Sequence, residues 1–234
     1  MERFPTTEWS MIAAAQGTET PDARLALERI CSTYWYPVYA FIRSRTAQAA
    51  DAEDLTQGFF ASLIGAASID SVRPERGRFR AFLLASAKNY LAGQRERRLS
   101  QKRGGMATFL DFDAAERRYS MEAAPGSDPE TEFERSWART AVELAEETLR
   151  REYASTGKAV LFEALLPYLR GGAGPPYACL AAALEISESA IKAAVLRVRR
   201  RFGRILTRQI ASTVGPNGNA ATEEVKYLLR LLSR

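Results

Sequence analysis

The sequence predicts an all-α protein: two small helical domains joined by a flexible linker. Three observations predict it. Apolar residues recur at spacings of three and four along most of the 234 residues, and strand-like alternation is nowhere sustained. Clusters of glycine, proline and aspartate cut these periodic runs into separate helices, and residues 104–130 are the best linker candidate among them. Charge is arranged in blocks within a net +5: residues 1–72 carry 5 basic and 9 acidic side chains, 73–110 carry 10 and 2, 111–152 carry 6 and 12, and 192–234 carry 10 and 2. Two basic blocks divided by an acidic one suit two domains that face polyanions.

Thr20-Pro21 opens the first helix, with proline at the position where a missing N–H costs least. Leu27, Ile30, Tyr34, Val38 and Phe41 mark its inward stripe. Pro37 lies within that stripe and predicts a kink or a break. The aromatics Tyr34, Trp35, Tyr36, Tyr39 and Phe41 read as core. A second helix starts at Asp51, where Asp51 and Asp54 have capping-box spacing with aspartate in place of glutamate. Leu55, Phe59 and Leu63 face inward, whereas Asp54, Gln57 and Ala61 share the other side, so a carboxylate and an amide project together.

Gly65, Asp70, Pro74 and Gly77 predict a loop over 65–78. A long helix follows from about Phe79 to Arg98, with Phe79, Phe82, Leu83, Ala87, Tyr90 and Leu91 repeating at three and four. Lys88, Asn89 and Arg95 occupy its other faces. Residues 104–130 form the linker, carrying Gly104-Gly105 and the run Pro125-Gly126-Ser127-Asp128-Pro129. Thr131 with Glu134 makes a capping box that starts an amphipathic helix reaching about Tyr153. Another helix spans Lys158 to Leu169, and a turn runs from Gly171 to Pro176.

Tyr177 to Leu184 predicts a short helix, Glu185-Ile186-Ser187 a turn, and Ser187 the N-cap of a second helix. Ile191, Val195, Val198 and Phe202 form the inward stripe of that helix, while Lys192, Arg197, Arg199, Arg200 and Arg201 mostly point elsewhere. Two helices, a short turn and a basic second helix describe a helix-turn-helix. Residues 213–219 read as flexible. Glu223 to Leu232 reads as a short helix whose Val225, Leu228, Leu229 and Leu232 dock on the body or on a partner.

Composition excludes whole classes of chemistry. The sequence has no histidine, so Ser-His-Asp and Cys-His catalysis and histidine-based metal sites are impossible. The two cysteines, Cys31 and Cys179, form no C-x-x-C pair and read as buried reduced thiols, which suits a cytoplasmic protein. No apolar run approaches the length that spans a membrane, and Met1-Glu2-Arg3-Phe4-Pro5 lacks the apolar region of a signal peptide. No glycine-rich phosphate-binding motif is present. No cofactor and no metal are expected.

Three stretches, in order, resemble bacterial RNA polymerase sigma factors of the extracytoplasmic-function (ECF) subclass. Asp51-Ala52-Glu53-Asp54-Leu55-Thr56-Gln57-Gly58-Phe59-Phe60 resembles sigma region 2.2. Phe79-Arg80-Ala81-Phe82-Leu83-Leu84-Ala85-Ser86-Ala87-Lys88-Asn89-Tyr90-Leu91 resembles regions 2.3 and 2.4, and Tyr177 to Arg201 resembles the region 4.2 helix-turn-helix. The resemblance covers about residues 24–103 and 132–208. It implies a region 2 helical domain over 1–103, a linker over 104–130, a region 4 domain over 131–212 and a tail with a short helix over 213–234.

The resemblance also implies roles. Region 2.2 grips the clamp helices of the polymerase β′ subunit, which places Asp51, Asp54, Gln57 and Phe60 at core polymerase, and region 4 meets the β flap. A carboxylate and an amide on an exposed face suit an arginine-rich partner helix. Asp51 also has a helix-capping explanation, whereas Gln57 has none. The loop and long helix would hold the open −10 element, with a base pocket over 70–80 and strand contacts from Arg78, Arg80, Lys88, Asn89, Arg95, Arg97 and Arg98. Basic and aromatic side chains offset part of the cost of opening a duplex by capturing the displaced strand. The recognition helix would enter the major groove of the −35 element through Ser189, Lys192, Ala193, Leu196, Arg197 and Arg200. Of the arginines that follow, Arg199, Arg200 and Arg201 would meet phosphates or stay in solvent.

Some positions depart from the family pattern. Ala193 and Ala194 offer no hydrogen bonds where polar residues are frequent, which shifts −35 readout toward DNA shape and phosphates. Cys179 stands where a polar residue is common, and the linker is long for the subclass. The expected partners are core RNA polymerase, promoter DNA and an anti-sigma protein or regulatory kinase, with no membrane. Three rival readings remain: a helix-turn-helix regulator that never binds polymerase, an enzyme using the carboxylates near 51–54, and an adaptor that binds only protein. The first leaves the Asp54/Gln57 face and the second basic helix unexplained.

Overall fold

A computed structural model describes residues 21–65, 78–98, 111–123, 126–171, 174–211, 213–214 and 220–233. The fold is all-α. Among the described residues it has nine helices and no strand: α1 (Pro21–Arg43), α2 (Ala49–Gly65), α3 (Phe79–Arg98), α4 (Phe112–Glu122), α5 (Pro129–Ser155), α6 (Ala159–Leu169), α7 (Tyr177–Ala183), α8 (Glu188–Ala211) and α9 (Ala220–Leu232). The chain divides into two compact units, one of residues 1–140 with 210–234, the other of residues 141–209. The boundaries fall inside α5 and α8.

In the first unit α1 is the central helix. Tyr34, Val38, Tyr39, Ala40, Phe41 and Ile42 are wholly buried. α1 continues unbroken through Pro37, although proline removes a helix hydrogen bond. Packing around it outweighs that loss: each fully buried large apolar side chain contributes about 1.5–3 kcal/mol. Phe79 of α3 meets Tyr34 edge-on at 5.2 Å, and Phe59 of α2 meets Tyr90 of α3 at 5.9 Å. Gly58 lets α3 approach, since a Cβ there would run into the Tyr90 hydroxyl. α2 begins at Ala49, two residues before Asp51, so Asp51 lies in the first turn instead of starting the helix.

The segment read as a linker contains a packed helix. Asp111 caps α4, its carboxylate accepting from the Ala114 N–H at 2.8 Å. Phe112 then packs against Trp35 and Tyr39 of α1. Glu116 accepts the Arg43 guanidinium at 2.9–3.1 Å and the Tyr39 hydroxyl at 2.5 Å. Glu122 accepts from Tyr36, Arg118 and Arg139. The acidic residues that suggested a solvated linker are the partners of basic and phenolic groups on α1 and α5.

α5 starts at Pro129, capped by Asp128, whose carboxylate accepts from the Thr131 N–H at 3.0 Å. The expected Thr131–Glu134 capping box does not form. The opening turns of α5 belong to the first unit: Phe133 is buried against Phe41 at 6.3 Å, and Trp137 and Ala138 are buried. α9 belongs to the same unit, through buried Glu224 and Leu228. The units therefore divide at 140/141 and 209/210, where the sequence reading drew its boundaries at 103, 130 and 212.

The second unit holds the rest of α5, then α6, α7 and most of α8. Gly157, at φ 70°, takes the left-handed conformation that ends α5. Leu149, Phe162, Leu165, Ile191 and Val198 are its buried centre. Tyr153 packs on Phe162 at 5.4 Å. α7 and α8 are joined by residues 184–187, in which Glu185 takes a positive φ of 55°. Ser187 caps α8, its hydroxyl accepting from the Ala190 N–H at 3.2 Å. Phe202, assigned to the inward stripe, is half-buried.

Candidate nucleic-acid interface

Three faces carry the residues singled out in the sequence: one on α2, one on α3 and one on α8. On α2, Asp54 is exposed, and Asp51, Gln57 and Ala61 are half-buried on its open side. Phe60 departs from its assignment. It is 6% exposed and packs against Phe59 at 5.2 Å, so it supports this face from beneath. Phe59 in turn meets Tyr90 of α3, so the two rings are buried together. Glu53 on α2 lies near Asp113 and Glu116 of α4, and burial with these charges raises its carboxyl above the usual range. The acidic character of this face therefore comes from two helices, one of which lay in the supposed linker.

On α3, Asn89 is exposed and lines a cleft of about 310 Å³ shared with Ser62, Ser86, Tyr90 and Gln94. The cations behave otherwise than expected. Arg80 is 3% exposed. Its guanidinium pairs with Glu224 of α9 and with Glu134 of α5 at 3.4 Å, and lies 5.2 Å from the Trp137 ring centroid. Burial pushes its pKa down, opposed by Glu134, yet a guanidinium remains charged in proteins. Arg78 is half-exposed and pairs with Glu224 at 3.0 Å. Lys88 pairs with Glu130. These three cations are strand-contact candidates by their place in the sequence, and each has a carboxylate partner within the chain. Of the remaining strand-contact residues, the side chains of Arg95, Arg97 and Arg98 lie outside the described structure, as does most of the 70–80 pocket.

On α8 the assigned residues share one open face. Ser189, Lys192, Ala193, Leu196, Arg197 and Arg200 are all exposed, with Leu196 at 50%. Lys192 is held by Glu188 one turn back at 2.7 Å, which raises its pKa. Ala193 and Leu196 add apolar surface among the cations. Sequence reasoning missed Arg204 and Arg208, which are exposed and continue the Arg197–Arg200 row at helical spacing. The spacing alone was a sufficient signal. Arg199 and Arg201 are engaged within the second unit. Arg199 donates to the Tyr168 carbonyl at 2.8 and 3.1 Å, and Arg201 forms a two-point pair with Glu152 at 2.5 and 2.8 Å. They fix α8 against α5 and α6, so the open arginines are held in a defined row.

Both thiols also depart from expectation. Cys179 is exposed and Cys31 is half-buried; burial pushes the Cys31 thiol up to about 11. Among the described residues no group of acidic or cysteine side chains is arranged to hold a metal, and no helix is long and apolar enough to cross a membrane.

Residues 33–98 match the family model for Sigma-70 region 2. The match runs from within α1 through α2 to the end of α3, less than a third of the chain. No curated protein and no solved structure matches the chain. The matched segment carries the α2 and α3 faces described above and is similar to a sigma-70 region 2 domain.

Proposed function

We propose that the chain is a cytoplasmic, non-enzymatic sigma factor of the ECF type, which binds core RNA polymerase, recognises −10 and −35 promoter elements and promotes melting of the DNA. The observation that carries this reading is the region 2 match over residues 33–98, with the open arginine row of α8 in a second unit. Polymerase performs the nucleotidyl transfer, and the chain supplies recognition.

Asp54 and Gln57, with Asp51 beside them, meet a basic clamp helix of β′. Phe60 contributes by holding the face up from the core. Asn89 and its cleft offer amide and hydroxyl groups to the edge of an unstacked base. α7, the turn and α8 form a helix-turn-helix of region 4, with Ser189, Lys192, Ala193, Leu196 and Arg197 at the groove and Arg200, Arg204 and Arg208 along the phosphates.

The test is binding to purified core polymerase followed by run-off transcription from promoters found by mapping bound DNA in cells. Asp54→Lys with Gln57→Ala is expected to weaken core binding about tenfold or more, as for loss of a charge-assisted contact at an interface, with DNA affinity unchanged. Equal core affinity in that double variant would remove the assignment of the α2 face. Failure of the parent chain to bind core polymerase at all would remove the sigma reading.

A further inference from the structure

We propose that α9 is an autoinhibitory latch: by seating Glu224 on Arg78 and Arg80 it closes the start of α3 to a nucleic-acid strand, and strand and helix compete for the same two guanidinium groups. The inference rests on the strand-binding role proposed for α3 and goes beyond it, since it concerns when that face is open.

Four observations converge on this site. Glu224 is wholly buried and pairs with both arginines. Tyr227, one turn along α9, donates its hydroxyl to Glu134, which also holds Arg80. The backbone leading to α9 is fixed to the same spot, because the Phe79 N–H donates to the Thr213 carbonyl at 3.2 Å, and Thr213 and Val214 are buried. Lys88, two turns along α3, is taken by Glu130. Every described cation assigned to the strand on this helix is thus neutralised within the chain.

Chemistry makes the closure reversible. A phosphate gives a guanidinium the same two-point acceptor geometry as a carboxylate. Displacing Glu224 also returns a buried carboxylate to water, which recovers its desolvation cost. The helix is lightly held: of the 13 residues of α9 only Glu224 and Leu228 are buried, and a helix of this length is marginal by itself. Segments with few buried contacts open most readily. A chain whose binding-competent form is a minor fraction shows an affinity reduced by that fraction.

The experiment uses the full chain carrying Arg197→Glu, Arg200→Glu, Arg204→Glu and Arg208→Glu, which removes the open arginine row of α8, and a random-sequence single-stranded 20-nucleotide DNA as probe. Affinity is read by fluorescence anisotropy with and without Glu224→Gln, and amide exchange over 220–232 is read by mass spectrometry with and without DNA. Circular dichroism checks that the variants fold, and the exchange arm needs no change at Glu224. Expected are an affinity about tenfold higher for Glu224→Gln, as for a form closed about nine-tenths of the time, and faster exchange across α9 when DNA is added. Equal affinities, with α9 exchange unaltered at saturating DNA, would overturn the latch and leave strand binding standing. No DNA binding by either folded protein would overturn the strand-binding role of α3, and the latch with it.

Discussion

Glu116 shows how one side chain can hold two helices together. Its carboxylate takes the Arg43 guanidinium side-on and the Tyr39 hydroxyl end-on. The Arg43 hydrogen bonds, with help from Tyr39, hold its pKa below the ordinary 4.5 despite burial. A depressed folded-state pKa contributes stability above the unfolded value, and that contribution disappears as pH falls through the folded one. Glu116→Gln is therefore expected to lose about 2 kcal/mol at neutral pH, the scale of hydrogen bonds to charged groups. The difference from the parent should shrink in urea melts run progressively below pH 4.5. A difference that stays constant down to pH 2 would show that the charge at Glu116 carries none of it. At this scale the sequence was only partly legible. The inward stripes of α1 and α8 follow from spacing, but burial of Arg80 does not. Nothing local distinguishes an arginine bound for solvent from one that distant Glu134 and Glu224 will enclose. Cys179 was misread for a related reason: the seven residues of α7 are nearly all apolar, so periodicity cannot say which side faces out.

Helices as elements were mostly visible, and their ends were visible where chemistry marks them. α3 occupies the expected Phe79–Arg98, and α8 starts after the expected Ser187 cap. α5 was displaced because Asp128-Pro129 is a better start than Thr131: the aspartate caps, and the proline fits the first helical position. α4 was missed because its eleven residues are highly charged, and the stripe it buries is narrow. Only Ala115 is fully enclosed, and the rest of its attachment is aromatic contact and ion pairing. The contact between α2 and α3 yields a sharp expectation. Gly58 faces the Tyr90 hydroxyl with no room for a Cβ. Gly58→Ala forces the Tyr90 ring to move and disturbs its edge-on contact with Phe59. Strain from overpacking of this kind costs about 1–3 kcal/mol. Tyr90→Phe, which removes the obstructing oxygen, should restore much of the loss in the double variant. A thermal melt of the four proteins reads the coupling, and additive effects would place the glycine's role elsewhere.

For the whole molecule, the charge blocks proved real, but their meaning changed. The acidic block over 111–152 is not a solvated spacer. Glu116, Glu122, Glu130 and Glu134 each hold a cation or a phenol of the first unit. One basic block, on α3, is largely compensated from within at its described cations, while the block on α8 stays open along Arg197, Arg200, Arg204 and Arg208. This asymmetry has a measurable consequence, because each phosphate neutralised on duplex DNA contributes about −0.9 to the slope of log affinity against log salt concentration. Of these arginines, Arg200, Arg204 and Arg208 lie along the phosphates, which leads to a slope near −3 for the parent chain on duplex DNA, about half of what two equally open basic faces would give. Arg204→Ala with Arg208→Ala should bring the slope to about −1 and weaken binding to all sequences alike. A titration across salt concentrations reads both quantities. A parent slope near −6 would mean that the α3 cations reach phosphates despite their carboxylate partners. An unchanged slope in the double variant would mean that the row ends at Arg200.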